Sequence, residues 1–261
     1  YQALVGVWPG MVSEGLVERL KAYMLKAARE AKQHTSWINA DTEYEAALER
    51  FVAKSLENKV FVDDLAEMVA RIARPGLLVS LAQTLVKVAS PGVPDYYQGT
   101  ELWDFSLVDP DNRRPVDYSL RKRLVADEAS ALELVRNLAD GRAKMHIIRK
   151  GLELRKKHPG LFHGAKYTPL YADHGREENI VAFSLSDGAH TVIAVAPRLF
   201  TNLMRADDIA PLGAKAWGAA TLALEGSYVN VLTGERHTGR RLRVAEVLAT
   251  FPVALLVSGT R

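Results

Sequence analysis

One stretch of this chain concentrates side chains suited to recognition chemistry. Residues 91–118 open with Pro91-Gly92-Val93-Pro94-Asp95-Tyr96-Tyr97-Gln98-Gly99-Thr100-Glu101-Leu102-Trp103-Asp104. They close with Asp109-Pro110-Asp111-Asn112-Arg113-Arg114-Pro115-Val116-Asp117-Tyr118. Tyrosines, a tryptophan, carboxylates, amides and two arginines are what a sugar needs. An aromatic face covers the apolar C–H side of a pyranose, while carboxylate, amide and guanidinium groups hydrogen-bond its hydroxyls in forks. On residue types alone, a polar surface loop with a few packed aromatics accounts for the same string.

Other chemistries find less support. Asp109, Asp111 and Asn112 start like a calcium loop, but Arg113 and Leu120 stand at the fifth and twelfth positions, where Asp/Asn and Glu are required. No metal site is expected. The seven histidines are scattered and none has zincin spacing. No Gly-x-Ser-x-Gly elbow, phosphate loop or dinucleotide fingerprint occurs, so no cofactor is expected. Arg149, Lys150, Arg155, Lys156 and Lys157 form a basic run that complements the C-terminal dipole of a helix. Trp37 and Asn39 follow a predicted helix and are further candidates for contact with a sugar.

The elements that must position these residues are helical up to about residue 160. Leu16, Leu20, Met24, Ala27 and Ala31 recur at helical spacing from about Ser13. A capping box, Thr42 to Glu45, predicts the start of the next helix. A third helix runs through Leu65, Met68, Val69 and Ile72 and is expected to stop at Pro75-Gly76. Gly76 to Ser90 is apolar almost all round, with Gln83, Thr84 and Lys87 as exceptions, so it reads as a helix covered on several sides. Val93 to Gln98 reads as one strand, and a buried helix, a strand and a polar loop in that order is the grammar of an α/β barrel. Residues 104–118 read as a long loop. Helical patterns return over Leu120–Leu138 and Met145–Arg155, ending at Pro159-Gly160.

Beyond Gly160 the period falls to two. Lys166–Tyr171, Ile180–Leu185, Thr191–Ala196, Tyr228–Leu232, Arg241–Val244 and Val253–Val257 read as strands, with turns at Asp187-Gly188 and Thr233-Gly234. The expected domains are therefore 1–160 and 161–261.

Bulk properties set outer limits. The chain has 261 residues, 48% hydrophobic and 25% charged, which is the composition of a globular protein with a sizeable core. Cysteine is absent, which excludes disulfides and thiolate metal sites and fits a cytoplasmic setting. The net charge of +3 is scattered and no nucleic-acid motif accompanies it. No continuous apolar stretch reaches the roughly 18 residues of a membrane span. Neither a nucleic acid nor a membrane is an expected partner. The chain opens on Tyr1 rather than Met, and the opening reads as the middle of a fold, which suggests a fragment.

The string from Pro91 to Glu101, Pro-Gly-x-Pro-x-x-Tyr-x-Gly-x-Glu, resembles the last barrel strand and following loop of the α-amylase superfamily, glycoside hydrolase family 13. More narrowly, Tyr97-Gln98-Gly99-Thr100-Glu101-Leu102-Trp103-Asp104 and Asp109 to Tyr118 resemble the maltooligosyl trehalose synthase family. So do Thr35-Ser36-Trp37-Ile38-Asn39 with Tyr44-Glu45, and Leu154 to Phe162. Ala40 stands where the family pattern has proline.

The resemblance implies an α+β fold: a mostly helical part completing the end of a (β/α)8 barrel, then a small antiparallel, sandwich-like β domain. It implies an enzyme that converts the reducing-end α-1,4 linkage of a maltooligosaccharide to α-1,1 by retaining intramolecular transglycosylation. Retention needs two carboxyl groups about 5–5.5 Å apart. The family's motifs for these, including a His-Asp pair, do not occur in this chain, so no catalytic residue is assigned. The missing N-terminal catalytic portion is the implied partner, and a maltooligosaccharide the implied ligand. Asp95 and Asp104 are not expected to replace the absent carboxylates. The candidate contacts are Tyr97, Gln98, Glu101, Trp103, Asp109, Asp111, Asn112, Arg113 and Arg114, with Tyr97 or Trp103 stacking on glucose and Arg113 or Arg114 forking onto hydroxyls or a carboxylate. Two other readings remain: a non-catalytic glucan-binding module and an assembly domain.

Overall fold

The computed structural model describes residues 1–205 and 207–258. Helices α1 (Gln2–Val7), α2 (Glu14–Ala31), α3 (Thr42–Glu57), α4 (Lys59–Ala89), α5 (Tyr118–Val125), α6 (Ala131–Arg136) and α7 (Arg142–Lys157) precede every strand. Then follow β1 (Lys166–Leu170), β2 (Ile180–Ser186), β3 (Thr191–Pro197), α8 (Gly213–Trp217), β4 (Thr221–Leu222) and β5 (Gly226–Asn230). The chain continues with β6 (Arg236–Gly239), β7 (Leu242–Arg243), α9 (Val244–Val247) and β8 (Ala254–Ser258). By proximity the chain divides into two compact units: residues 1–73 with 104–116, and residues 74–103 with 117–261.

The first unit is helical. Ser13 caps α2, as the spacing predicts, by accepting from the Leu16 amide. The cap of α3 lies one residue before the predicted box: Asp41 accepts from the Tyr44 amide. Glu45 is not free to complete a box with Thr42, because Arg29 and Thr35 hold its carboxylate. Leu4 and Val7 of α1, Leu16 and Leu20 of α2, Val52 and Leu56 of α3, Leu65 of α4 and the loop residue Leu107 form the core.

The expected helix stop at Pro75-Gly76 is not made. Helix α4 continues through Pro75 to Ala89. Proline inside a helix removes one hydrogen bond and costs about 3 kcal/mol. Burial of Leu78, Leu81, Leu85 and Val88, each at most 1% exposed, offsets that cost on the far side. Length and composition alone would let α4 cross a membrane, a property it shares with the core helices of many proteins. The sequence break coincides instead with the boundary between units, at Ala73–Arg74.

In the second unit the sheet order is β1-β2-β3-β8-β5-β6, all pairs antiparallel, with β4 and β7 forming a separate two-stranded ladder. The last strand, β8, is inserted between β3 and β5. Phe183, Leu185, Val192, Ala194 and Leu255 face α4, α6 and α7, sharing a core with Leu81, Val135 and Ile147. The alternate residues Ala182, Ile193, Val195 and Leu256 face the opposite side, with Trp217 of α8, Leu222, Leu242 and Val247. Both faces are covered, which is why β2, β3 and β8 read as nearly continuous apolar runs. The change from helices to strands at residue 160 therefore falls inside one compact unit.

One further expectation is refined and one corrected. The helical patterns over Leu120–Leu138 fold as two helices, α5 and α6, because Asp127 to Ser130 forms a non-helical link in which Ser130 caps α6. Val93–Gln98 is not a strand. A strand gains its hydrogen bonds from neighbours, and among the described residues all the strands lie at residue 166 or later.

Candidate functional site

In the first unit, residues 104–116 are held by long basic side chains of α2. Arg19 forks onto Asp111, with Nε donating to Oδ1 at 2.9 Å and Nη2 to Oδ2 at 2.8 Å. Its Nη2 also donates to the Phe105 carbonyl at 2.8 Å. The Leu107 amide donates to Asp111 Oδ2 at 2.6 Å. Two parallel charge-assisted bonds fix orientation as well as distance. Burial pushes the Asp111 carboxyl up, but the Arg19 and Leu107 bonds and the charges of Arg19 and Arg114 outweigh it and hold the group below its ordinary value. Lys26, two helical turns beyond Arg19, donates to the Asp109 carbonyl at 2.6 Å and lies 3.6 Å from its carboxylate.

The two predicted arginines differ in their commitments. Arg114 donates to the Asp111 carbonyl at 3.0 Å and to Ser106 Oγ at 2.9 Å, so it braces the loop's own turn. Arg113 is 68% exposed and pairs with Asp109, which leaves most of its fork facing solvent. The Asn112 side-chain oxygen is buried without a hydrogen-bond donor among the described residues. A buried acceptor left dry costs about 1–3 kcal/mol, and a water or a ligand hydroxyl would satisfy it.

The other predicted residues lie in the second unit, within the Asp95–Trp103 segment. Tyr97 is 44% exposed, and its carbonyl accepts from both the amide and the hydroxyl of Thr100, closing a turn. Gln98 is exposed and accepts from the Tyr118 hydroxyl at 3.4 Å. Glu101 pairs with Arg121 at 3.0 Å, and Arg121 also donates to the Gly99 carbonyl. Trp103 is half-buried against the core, and its indole N–H donates to the Leu138 carbonyl at 2.7 Å. Its ring is thus engaged in packing, and Tyr97 is the open aromatic face of the pair. Tyr96 has its hydroxyl buried without a partner, and burial pushes it up to about 12 against a small opposing effect of Arg155.

A cavity of about 420 Å3 opens beside this turn, lined by Ser80, Gln83, Thr84 and Lys87 of α4, Asp95, Tyr96, Tyr97 and Thr100, and Lys144 of α7. The exceptions in the apolar pattern of α4 therefore share one feature: they face an opening.

Sequence reasoning missed Arg19, Lys26 and Arg121. Arg19 and Lys26 are seven apart and share a helical face next to Leu16 and Leu20, a signal that both reach inward past the core stripe. Trp37 is 60% exposed with the Arg29 guanidinium 4.9 Å from its ring centre. Thr35 anchors that turn by donating to Glu45. Among the described residues no group of three or more His, Asp or Glu is placed to hold a metal ion.

No family model matches the chain. Individual relatives do. A Mycobacterium tuberculosis sequence (strain H37Rv) carrying the name maltooligosyl trehalose synthase is 35% identical over 98% of this chain. The solved structure of maltooligosyltrehalose synthase from Arthrobacter ramosus superposes on 99% of the chain, with a TM-score of 0.77 and 38% identity. A crystal structure of a maltooligosyl trehalose synthase covers 99% with a TM-score of 0.75 and 32% identity. The chain resembles the C-terminal portion of a maltooligosyl trehalose synthase. It spans 31% of the length of the M. tuberculosis relative and 32% of each of the two solved chains. The matched region takes in the whole helical part and the antiparallel tail, so likeness is not confined to the 91–118 string.

Proposed function

We propose that this chain supplies a sugar-gripping rim and a bracing β-rich tail to a maltooligosyl trehalose synthase. The whole enzyme would convert the reducing-end α-1,4 linkage of a maltooligosaccharide to α-1,1 by retaining intramolecular transglycosylation, as a (1→4)-α-D-glucan 1-α-D-glucosylmutase. The single observation behind this reading is likeness to such synthases across 98–99% of the chain. The braced loop is consistent with it: Arg19, Lys26, Arg114 and the Leu107 amide spend their hydrogen bonds on loop geometry, and Arg113 is left as the exposed fork. Preorganised donors of this kind hold a ligand at low entropic cost. Without the paired carboxyl groups that retention requires, the chain would bind without rearranging the glucan.

In the protein that carries this chain, Arg113→Ala is expected to lower trehalose-forming turnover about a hundredfold, the loss of a charged hydrogen bond worth about 2–3 kcal/mol. Turnover near normal in both the Arg113→Ala and Arg114→Ala variants sinks the proposed role of the loop.

A further inference from the structure

Two histidines of the second unit meet where its helices join the sheet. His158 caps the C-terminal end of α7, and His190 leads from the β2–β3 turn into β3. Both are half-buried. Their ring centres lie 4.7 Å apart, with the planes tilted by 52°. Two imidazoles on one tetrahedral ion, at a metal–nitrogen distance of about 2.1 Å, put their ring centres about 5 Å apart. A histidine ring turns about its last torsion at low cost, so either nitrogen can face the gap. No ligand spacing links the two in sequence, because the contact is tertiary.

The backbone beneath each ring is fixed. The His158 amide donates to the Leu154 carbonyl at 2.9 Å, and the His158 carbonyl accepts from the Leu161 amide at 3.2 Å. The His190 amide donates to Asp187 Oδ1 at 2.7 Å. The His190 carbonyl accepts from the Asp187 amide at 3.3 Å and from the Ser186 hydroxyl at 3.2 Å. Leu154 and Leu161 beside one ring and Leu185 near the other share the buried core. Ligands held in this way lose little entropy on binding.

The rings themselves are uncommitted. His146 and His163 each spend a ring nitrogen on a backbone carbonyl. Among the described residues, neither His158 nor His190 makes a hydrogen bond through its ring. Burial, then the charges of His190 and Lys157, push the His158 ring down, and Asp187 opposes them. A neutral imidazole offers its lone pair to a metal. Asp187 places a negative charge beside the pair, and Lys157 is exposed, free to keep its ammonium in water.

We infer that His158 and His190 form a site for a divalent transition-metal ion of the zinc class, which pins the end of α7 to the β2–β3 turn. Among the described residues no third His, Asp or Glu completes the set, so water fills the remaining positions when the ion is bound. Imidazole favours zinc, nickel and copper, whereas magnesium seeks oxygen. Such a site is independent of the function proposed above.

The test is an amide-resolved NMR titration of the full chain with zinc sulfate, with magnesium sulfate as control. Saturating shifts at residues 157–163 and 186–191 with zinc alone are expected, together with a melting temperature that rises with zinc. His158→Gln and His190→Gln should each weaken binding about tenfold and abolish that rise, with unchanged circular dichroism. His163→Gln should leave both readouts as they are. His190 belongs to a turn, so its variant tests the site even where loss of His158 disturbs α7. Unchanged zinc affinity in the His158→Gln/His190→Gln double variant overturns the site, as does saturation of the same residues by magnesium. An equal loss in His163→Gln also overturns it, and so does the absence of saturable shifts, which leaves the two rings as a packed pair.

Discussion

Asp111 accepts from both arms of Arg19 and from the Leu107 amide, so one carboxylate ties helix α2 to both ends of the Leu107–Asp111 turn. Arg19→Ala should release that turn. Its loss of about 1.5–3 kcal/mol in charged hydrogen bonds is expected to speed exchange of the Leu107 amide by at least tenfold, with Arg19→Lys recovering part of the protection. Exchange unchanged in Arg19→Ala would mean the loop is ordered by something else. Glu45 makes a second test. Hydrogen bonds from Arg29 and then Thr35 hold its carboxyl at about 2, against an ordinary 4.5. A depressed carboxyl contributes stability that is complete above its unfolded value and is lost as pH falls through the folded one. Denaturant midpoints should therefore fall from about pH 5 toward pH 2, and Glu45→Gln should flatten that slope. An equally steep slope in the variant contradicts the assignment. At this scale the sequence was legible in kind but not in pairing. Residue types between 91 and 118 suggest recognition chemistry, but not which side chains brace the loop: Arg19 lies 92 positions from its partner, and no local rule links them.

Among the elements, helices with a single apolar face and strands with turn residues between them were legible. Helix α2 begins at its predicted cap, and β2, β3 and β8 fall within a residue or so of their predicted ends. Errors arose where tertiary structure outweighed a local rule. Pro75 marks a boundary between units rather than the end of α4. The Val93–Gln98 string has strand composition but no neighbouring strand among the described residues. The short β4 and β6 carry too few residues for a period-two signal. Close packing of α7 on α4 also lay beyond sequence reading. A Cβ on Gly151 would meet Val88 Cγ2 at 2.4 Å, and Val88 is 1% exposed. Gly151→Ala should thus destabilise by about 1–2 kcal/mol, since overpacking outweighs the roughly 1 kcal/mol that alanine gains in a helix. A lower urea midpoint at unchanged slope would report it, and a stabilised variant would show that the two helices can part freely.

For the whole molecule, the decisive relation is one of proportion. Nearly all of this chain aligns with about a third of each synthase it resembles. The predicted sugar contacts divide between its two compact units: Asp109 to Arg114 in the first, Tyr97 to Trp103 in the second. Binding groups without paired acids should hold a glucan and leave its bonds intact. Calorimetric titration of the chain with maltopentaose, followed by an assay of reducing ends in the same sample, tests this most directly. Saturable heat with every reducing end preserved is the predicted result. Loss of reducing ends catalysed by this chain alone, or no heat of binding at all, would contradict it.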